Sequence, residues 1–180
     1  RDLILFERKI SRTIEQTYYS LEKILVDGNC KINVKDPPSY VEVTQGSLMG
    51  VSPMSAKKVV SFSLYADGST TKVQSSSQIS SDWKNLTLYG NVITAFVIGV
   101  FLWITLDMNN YIQTAKPGFW AWIAQLFESP KMGEAILVSN LIQALAVFLV
   151  FVVLIEILIV IYVYPRKNAF SQYALEKISN

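Results

Sequence analysis

The 180-residue chain contains no histidine and a single cysteine, Cys30. The absence of histidine removes the commonest acid–base catalyst and metal ligand. One cysteine excludes an intrachain disulfide and any metal or redox site built on a CxxC motif. The sequence also lacks a Walker A phosphate loop, a GxGxxG turn and an HExxH motif. We therefore predict that the chain is not an enzyme and that it carries no metal or cofactor.

Charge is scarce in the second half of the chain. Of the 16 basic and 14 acidic residues, 11 and 9 respectively lie within the first 88 positions, which leaves 5 of each for the remainder. The net charge of +2 gives no indication of a nucleic-acid partner, so none is expected. The two halves are thus suited to different environments, the first polar and the second largely apolar.

Two long apolar runs dominate that second half. Residues 135–164 carry one charge, Glu156, and residues 86–106 carry none. An apolar run of about 18 residues or more is typical of a transmembrane helix. We predict a first span within 83–107, a connecting loop over 108–133, a second span within 134–165 and an amphipathic tail over 166–180. The tail is expected to fold back on the N-terminal domain or on a partner.

Residues 1–82 have the patterns of a small cytosolic α+β domain. Between positions 2 and 26 apolar residues recur every three or four positions, which predicts a helix with one apolar face. The alternating stretches 30–35, 40–45, 57–66 and 69–77 predict an antiparallel sheet of about four strands. The serine-rich stretch 69–77 is expected to be the edge or the most exposed strand. The predicted fold class is α+β, an N-terminal helix on a small antiparallel sheet followed by a two-helix transmembrane hairpin.

A helix followed by hairpins that end in DGSTTKV resembles helix-grip lipid-binding domains. The resemblance assigns no individual residue a role. A sheet clasped by a helix can enclose an apolar cavity, or aromatic side chains can simply fill the core between them. The aromatic residues to which these alternatives apply are Tyr18, Tyr19, Tyr40, Phe62 and Tyr65.

Amphipathic aromatic residues and cations flank the apolar runs. Trp and Tyr concentrate at membrane–water interfaces, whereas Lys and Arg concentrate on the cytoplasmic side. The predicted interfacial anchors are Trp83, Tyr89, Trp120, Trp122, Tyr162, Tyr164, Arg166 and Lys167. Residues 119–127 are spaced as a short amphipathic helix, which either lies in the membrane surface or packs on another subunit. The charges predict an integral protein of the cell membrane with both termini in the cytoplasm.

Few polar residues fall inside the predicted spans. A carboxylate such as that of Glu156 costs several kcal/mol in lipid unless it is protonated, hydrated or paired. Asn140 and Gln143 lie about 160° and 140° from Glu156 around a helix, so the three do not form one stripe. We predict that all three make polar contacts within the membrane. Small residues permit close helix approach, and those of the first span that form the predicted packing face are Gly90, Thr94, Ala95 and Gly99.

Three functions remain compatible with these features. The first is a non-catalytic accessory subunit of a larger membrane complex, which contacts the lipid bilayer and other membrane-protein subunits and docks partners through its cytosolic domain. The second is a membrane-tethered binder of a lipid or small hydrophobic ligand. The third is a contribution of Glu156 to a proton or cation pathway shared with other subunits. The first is favoured because the spans offer no further charged group.

Overall fold

The computed structural model describes residues 6–114, 116, 118–120 and 132–180, and of residues 132–135 it describes only the backbone. These residues group into two compact units. The first unit contains the chain up to Leu86 together with Ile159–Asn180. The second unit is Thr87–Leu158.

A five-stranded antiparallel sheet forms the centre of the first unit. Its strands are β1 (Phe6–Ile10), β2 (Lys31–Asp36), β3 (Tyr40–Gln45), β4 (Lys58–Asp67) and β5 (Thr70–Ile79). They lie in the order β1-β5-β4-β3-β2. Consecutive strands β2 to β5 are neighbours, as their alternating sequences predict, whereas β1 crosses to the far edge and pairs with β5.

The predicted helix over residues 2–26 is replaced by strand β1 and helix α1 (Ile14–Asp27). Phe6 and Ile10 are four residues apart, a spacing that fits one face of a helix and also one face of a strand. Hydrogen bonds at Thr13 determine where the helix starts. The Thr13 hydroxyl accepts from the backbone N–H of Gln16, and the Gln16 side chain accepts from the backbone N–H of Thr13. This capping box starts the helix at Ile14.

The prediction that residues 69–77 form an edge strand is wrong. Strand β5 lies between β1 and β4, and the side chains of Ser75 and Ser77 are buried. These serines continue the inward-facing alternation of Thr71 and Val73. Small side chains on this face let a helix approach the sheet closely, and the C-terminal helix contacts β5 there.

That C-terminal helix, α4 (Ala169–Ser179), completes the core of the domain. Phe170, Ala174, Leu175 and Ile178 are buried in one apolar cluster with side chains of α1 and of the inner strands. Helix α4 contacts both α1 and β1. The tail therefore folds back on the domain, one of the two alternatives predicted for it.

Two long apolar helices separate the sheet from α4. Helix α2 (Ser81–Thr114) has 34 residues, and helix α3 (Met132–Val163) has 32. At 1.5 Å per residue they measure about 51 and 48 Å, more than the roughly 30 Å of a bilayer's hydrocarbon core. Both are long and apolar enough to cross a membrane, and their apolar windows are largely unburied within the chain. These features indicate a membrane protein.

Replacing Phe170 by alanine tests whether α4 belongs to the core of the domain. We expect Phe170→Ala to lower the free energy of unfolding of the full chain in detergent by about 3 kcal/mol, because an aromatic side chain leaves a cavity when it is truncated. Tyr173→Ala on the exposed side of α4 is the control and should cost less than about 1 kcal/mol. Equal losses in denaturant titrations of the two variants would contradict the packing described here.

Candidate functional site

The ends of α2 and α3 that belong to the first unit meet in a boundary cluster, which consists of Ala56, Ile79, Trp83, Val163 and Tyr164. The Trp83 and Tyr164 rings lie 6.3 Å apart between centroids. Trp83, predicted as an anchor in the membrane surface, is only 3% exposed, and its Nε1 donates to the carbonyl oxygen of Gly50 at 2.9 Å. Trp83 thus joins the first turn of α2 to a loop of the domain.

That loop, residues 46–57 between β3 and β4, combines a fixed backbone with exposed apolar side chains. The backbone N–H of Ser47 donates to the Ser55 carbonyl oxygen at 2.9 Å, and the backbone N–H of Lys57 donates to the Ser47 carbonyl oxygen at 3.0 Å. Gly46 has φ +91° and packs directly on the Ala56 carbonyl, so no other residue fits there without strain. Met49 at the tip is 82% exposed. The loop is therefore structured although it presents apolar surface.

Lys58 lies under this loop and has no exposed surface. Its Nζ donates to Gln45 Oε1 and to the Met54 carbonyl oxygen, the latter at 3.2 Å. Burial lowers the pKa of Lys58 from 10.5 to about 8, and burial raises the pKa of the Cys30 thiol to about 11. Sequence reasoning missed Lys58, although it has the same parity on β4 as the buried Val60. Cys30 is only half-buried, and its raised pKa is that of an unreactive thiol.

Other predicted anchors are more exposed than Trp83. Tyr89 and Tyr162 are exposed on α2 and α3, and Lys167 is half-buried. The Arg166 guanidinium lies 4.4 Å from the centroid of the Tyr162 ring, and its Nη1 donates to the Tyr162 carbonyl oxygen at 3.2 Å. A cation and an amphipathic ring therefore pack together at the end of α3, where Tyr164–Arg166 form a 3-10 turn.

In the second unit, Glu156 of α3 faces α2. A Cβ placed on Gly90 would lie 3.6 Å from Glu156 Oε2, so the absent side chain of Gly90 gives the carboxylate room. On the same face of α2, Thr94 Oγ1 donates to the Gly90 carbonyl oxygen at 2.7 Å. Asn91 Oδ1 is buried there, without a hydrogen-bond partner among the described residues. The structure thus brings Glu156 to the polar, small-residue part of α2.

The other predicted polar and small residues point elsewhere. Asn140 and Gln143 are exposed on α3, and Ala95 and Gly99 are exposed on α2. A Cβ placed on Gly99 would meet nothing within 4 Å. Helix α2 therefore presents two separate faces with small residues, of which only the one with Gly90 and Thr94 turns toward α3.

Further along, α2 and α3 contact each other through an apolar cluster around Ile104, Met108 and Val138. Beside it, the Ser139 hydroxyl donates to Asn109 Oδ1 at 2.9 Å. The sequence alone did not identify this hydrogen-bonded pair, because Asn109 and Ser139 are far apart in the chain. Pairing lowers the cost of burying Ser139, which is 2% exposed.

An aromatic cluster lies at the same end of α2. Trp120 packs 5.3 Å from Trp103 and 4.9 Å from Phe119, measured between ring centroids. The Trp120 backbone N–H donates to Asp107 Oδ2 at 2.7 Å. Trp122 and most of the helix predicted over 119–127 lie outside the described residues.

No group of three His, Cys, Asp or Glu side chains among the described residues is placed to hold a metal ion. Tyr18 and Phe62 are fully buried in the core, whereas Tyr19 and Tyr65 are exposed on the surface. These aromatic residues therefore do not line one common cavity.

Comparison with known proteins adds a structural likeness. No family model matches the chain, and no curated protein does. The crystal structure of a Mesorhizobium loti protein, a structural genomics target, is similar over 46% of this chain and 81% of its own, with 14% identity and a TM-score of 0.36. A likeness at this level supports no conclusion about function.

Replacing Lys58 by methionine tests its buried, weakly basic state. In the folded chain Lys58 loses its proton near pH 8, whereas in the unfolded chain it does so near 10.5. The unfolded state binds more protons between these values, so the contribution of Lys58 to the free energy of unfolding rises with pH. We expect wild type to gain about 2 kcal/mol relative to Lys58→Met between pH 7 and 10.

Denaturant titrations at both pH values measure this gain. Lys31→Met, at an exposed position of β2, is the matched control for the loss of one lysine, and the change with pH should be larger for Lys58→Met than for this control. A flat difference for Lys58→Met would mean that the buried amine keeps its proton throughout this range.

Proposed function

We propose that the chain is a non-catalytic accessory subunit of a larger membrane complex. In this proposal α2 and α3 cross the cell membrane as an antiparallel hairpin. The α+β domain and both termini lie in the cytoplasm, where the domain docks partners.

The contacts between the long helices support the hairpin. Gly90 faces Glu156, and further along α2 Asn109 binds Ser139. Residue numbers rise on α2 as they fall on α3, which is the order of an antiparallel pair. The position of α4 supports it independently, because a chain that leaves the domain after β5 and returns to complete its core crosses a bilayer an even number of times.

One observation on α2 carries the subunit role. Besides the face turned to α3, the helix has a second, exposed face whose positions follow each other at steps of four and three. This second face consists of Leu88, Val92, Ala95, Gly99, Leu102 and Leu106. Such spacing is the pattern by which helices interlock, and small residues at its centre permit close approach. Lipid needs no such pattern, so we assign the face to a helix of another membrane subunit.

Glu156 fits this role better than a proton or cation pathway. Its carboxylate lies beside Gly90 of the same chain, so in the proposed hairpin it is directed at the neighbouring helix. A relay needs a succession of ionisable groups, and residues 86–106 and 144–163 supply no other charged residue.

Filling the second face of α2 tests the subunit role. We expect Gly99→Leu to reduce at least tenfold the amount of any membrane chain that co-purifies with the protein in mild detergent, because the added side chain blocks close helix approach. The chain's own fold has space for it. The control is Ile93→Phe, an exposed position about 120° away around α2, which should leave co-purification unchanged.

Mass spectrometry of the co-purifying chains identifies the partner, and a second copy of this chain would appear as a homo-oligomer. A wild-type protein that is extracted only as a monodisperse 20.3 kDa monomer would refute the proposal. So would equal effects of the two substitutions.

The hairpin is tested by cysteine labelling in intact cells. In a Cys30→Ser background, Lys116→Cys should react with a membrane-impermeant maleimide from outside, because Lys116 lies in the segment between the spans and is exposed. Asp67→Cys, at the exposed C-terminal end of β4, should react only after permeabilisation. Labelling of both from the same side would contradict the two crossings.

A further inference from the structure

We infer that a groove at the end of α3 binds the headgroup of an anionic glycerophospholipid of the phosphatidylglycerol type. The inference rests on the membrane placement proposed above, because it is this placement that brings the groove to the lipid surface. The groove has a volume of about 660 Å³, and all of its walls belong to the first unit. The wall residues used in the argument are Phe6, Met54, Tyr162, Arg166, Asn168 and Gln172.

Asn168 is the polar side chain that this groove leaves unsatisfied. The residue is 7% exposed, and its Oδ1 is buried without a hydrogen-bond partner among the described residues. Its backbone carbonyl accepts from the N–H of Gln172 at 3.0 Å, which fixes Asn168 at the start of α4. The side chain makes no capping hydrogen bond. A buried carbonyl oxygen without a partner is unfavourable. Because Asn168 forms part of the groove wall, we assign the missing hydrogen-bond donor to the ligand of the groove.

Arg166 gives the groove its positive charge. Its contact with the Tyr162 ring and its one hydrogen bond to the Tyr162 carbonyl hold the guanidinium in place. A guanidinium has five N–H donors, and it binds a phosphate group through two parallel hydrogen bonds. The first turn of α4, whose Ala169 also lines the groove, adds the partial positive charge of a helix N-terminus.

The other wall of the groove is apolar. Phe6, Met54 and Pro165 contribute carbon surface on which a free phosphate or sugar phosphate gains nothing. A phospholipid presents a phosphate next to glycerol and acyl carbons, which matches a cation beside an apolar wall. A phosphatidylglycerol headgroup also carries hydroxyl donors beyond the phosphate, and one of these satisfies Asn168 Oδ1.

The location of the groove favours a membrane lipid over a soluble ligand. Tyr162 belongs to the last turn of α3, and Arg166 and Lys167 follow directly. In the proposed hairpin this is the cytoplasmic boundary of the second span, where basic residues are attracted to anionic lipid. The groove therefore opens at the depth where headgroups lie.

Native mass spectrometry of the full-length protein in detergent tests this site. Dioleoyl phosphatidylglycerol, dioleoyl phosphatidylcholine, dioleoyl phosphatidic acid and free glycerol phosphate are added separately. We expect one bound phosphatidylglycerol, and we expect at least tenfold weaker binding of phosphatidylcholine and of glycerol phosphate. Phosphatidylcholine bound as tightly as phosphatidylglycerol would overturn the proposal, and so would tight binding of glycerol phosphate, which would mark a site for soluble anions.

Two substitutions separate the roles of the two polar groups. Arg166→Gln should weaken phosphatidylglycerol binding about tenfold, and Arg166→Lys should weaken it less, because the charge remains while the two-bond geometry is lost. Asn168→Leu should weaken phosphatidylglycerol binding about tenfold and leave phosphatidic acid binding unchanged, since phosphatidic acid has no headgroup hydroxyl beyond the phosphate.

Lys177→Gln, which removes one charge near the far end of α4, is the control and should change binding less than twofold. If Lys177→Gln and Arg166→Gln weaken phosphatidylglycerol binding equally, the lipid is attracted by the overall positive charge and the proposed site is refuted. If Asn168→Leu does not fold, the Arg166→Lys and Arg166→Gln pair still decides the matter. The cysteine labelling is independent, so a correct hairpin without retained lipid refutes only the groove.

Discussion

The packing of α4 on the sheet is the contact on which the rest of the structure depends. Phe170, Ala174 and Ile178 occupy the same apolar core as the inner strands, although the whole of α2 and α3 lies between them in the chain. The long helices are therefore an insertion into a domain that closes only when the chain returns. The boundary cluster around Trp83 and Val163 lies where the chain leaves and where it returns. The same apolar contact thus completes the core of the domain and brings the chain back to the domain that it leaves through α2.

How much of this follows from sequence depends on whether the relevant interactions are local. Composition alone indicates the two apolar helices, because a long apolar run with almost no charge is typical of a helix long enough to cross a membrane. Strands β3 and β4 follow from alternation within the strand itself. The periodicity of Phe6 and Ile10 fits a strand and a helix equally, and the capping box at Thr13 decides between them. Strand β5 was misjudged because the strand that covers it, β1, comes from the opposite end of the domain.

The candidate sites also divide into features that depend on local sequence and features that depend on contacts between distant parts of the chain. Glu156 is found from sequence because a charge in an apolar run is conspicuous, but its neighbour Gly90 is set by the register of two helices distant in sequence. The buried Lys58 is in phase with the core face of β4, so parity alone could have identified it. No local pattern predicts the groove at Arg166, because Phe6, Met54 and Gln172 meet there from three separate parts of the chain.

If α2 crosses a membrane as proposed, its excess length fits an extension beyond the bilayer better than a tilt. Tilting lets a helix place more apolar residues in lipid, but the chain is apolar only over residues 86–106 on α2. Beyond them come Asp107 and Asn109, which bond to the Trp120 backbone and to Ser139. Side chains paired in this way suit a water-facing helix end, and Trp103 marks the level at which apolar residues give way to polar ones. The C-terminal part of α2 therefore pairs with the N-terminal part of α3 through hydrogen bonds that lie beside the apolar cluster around Met108.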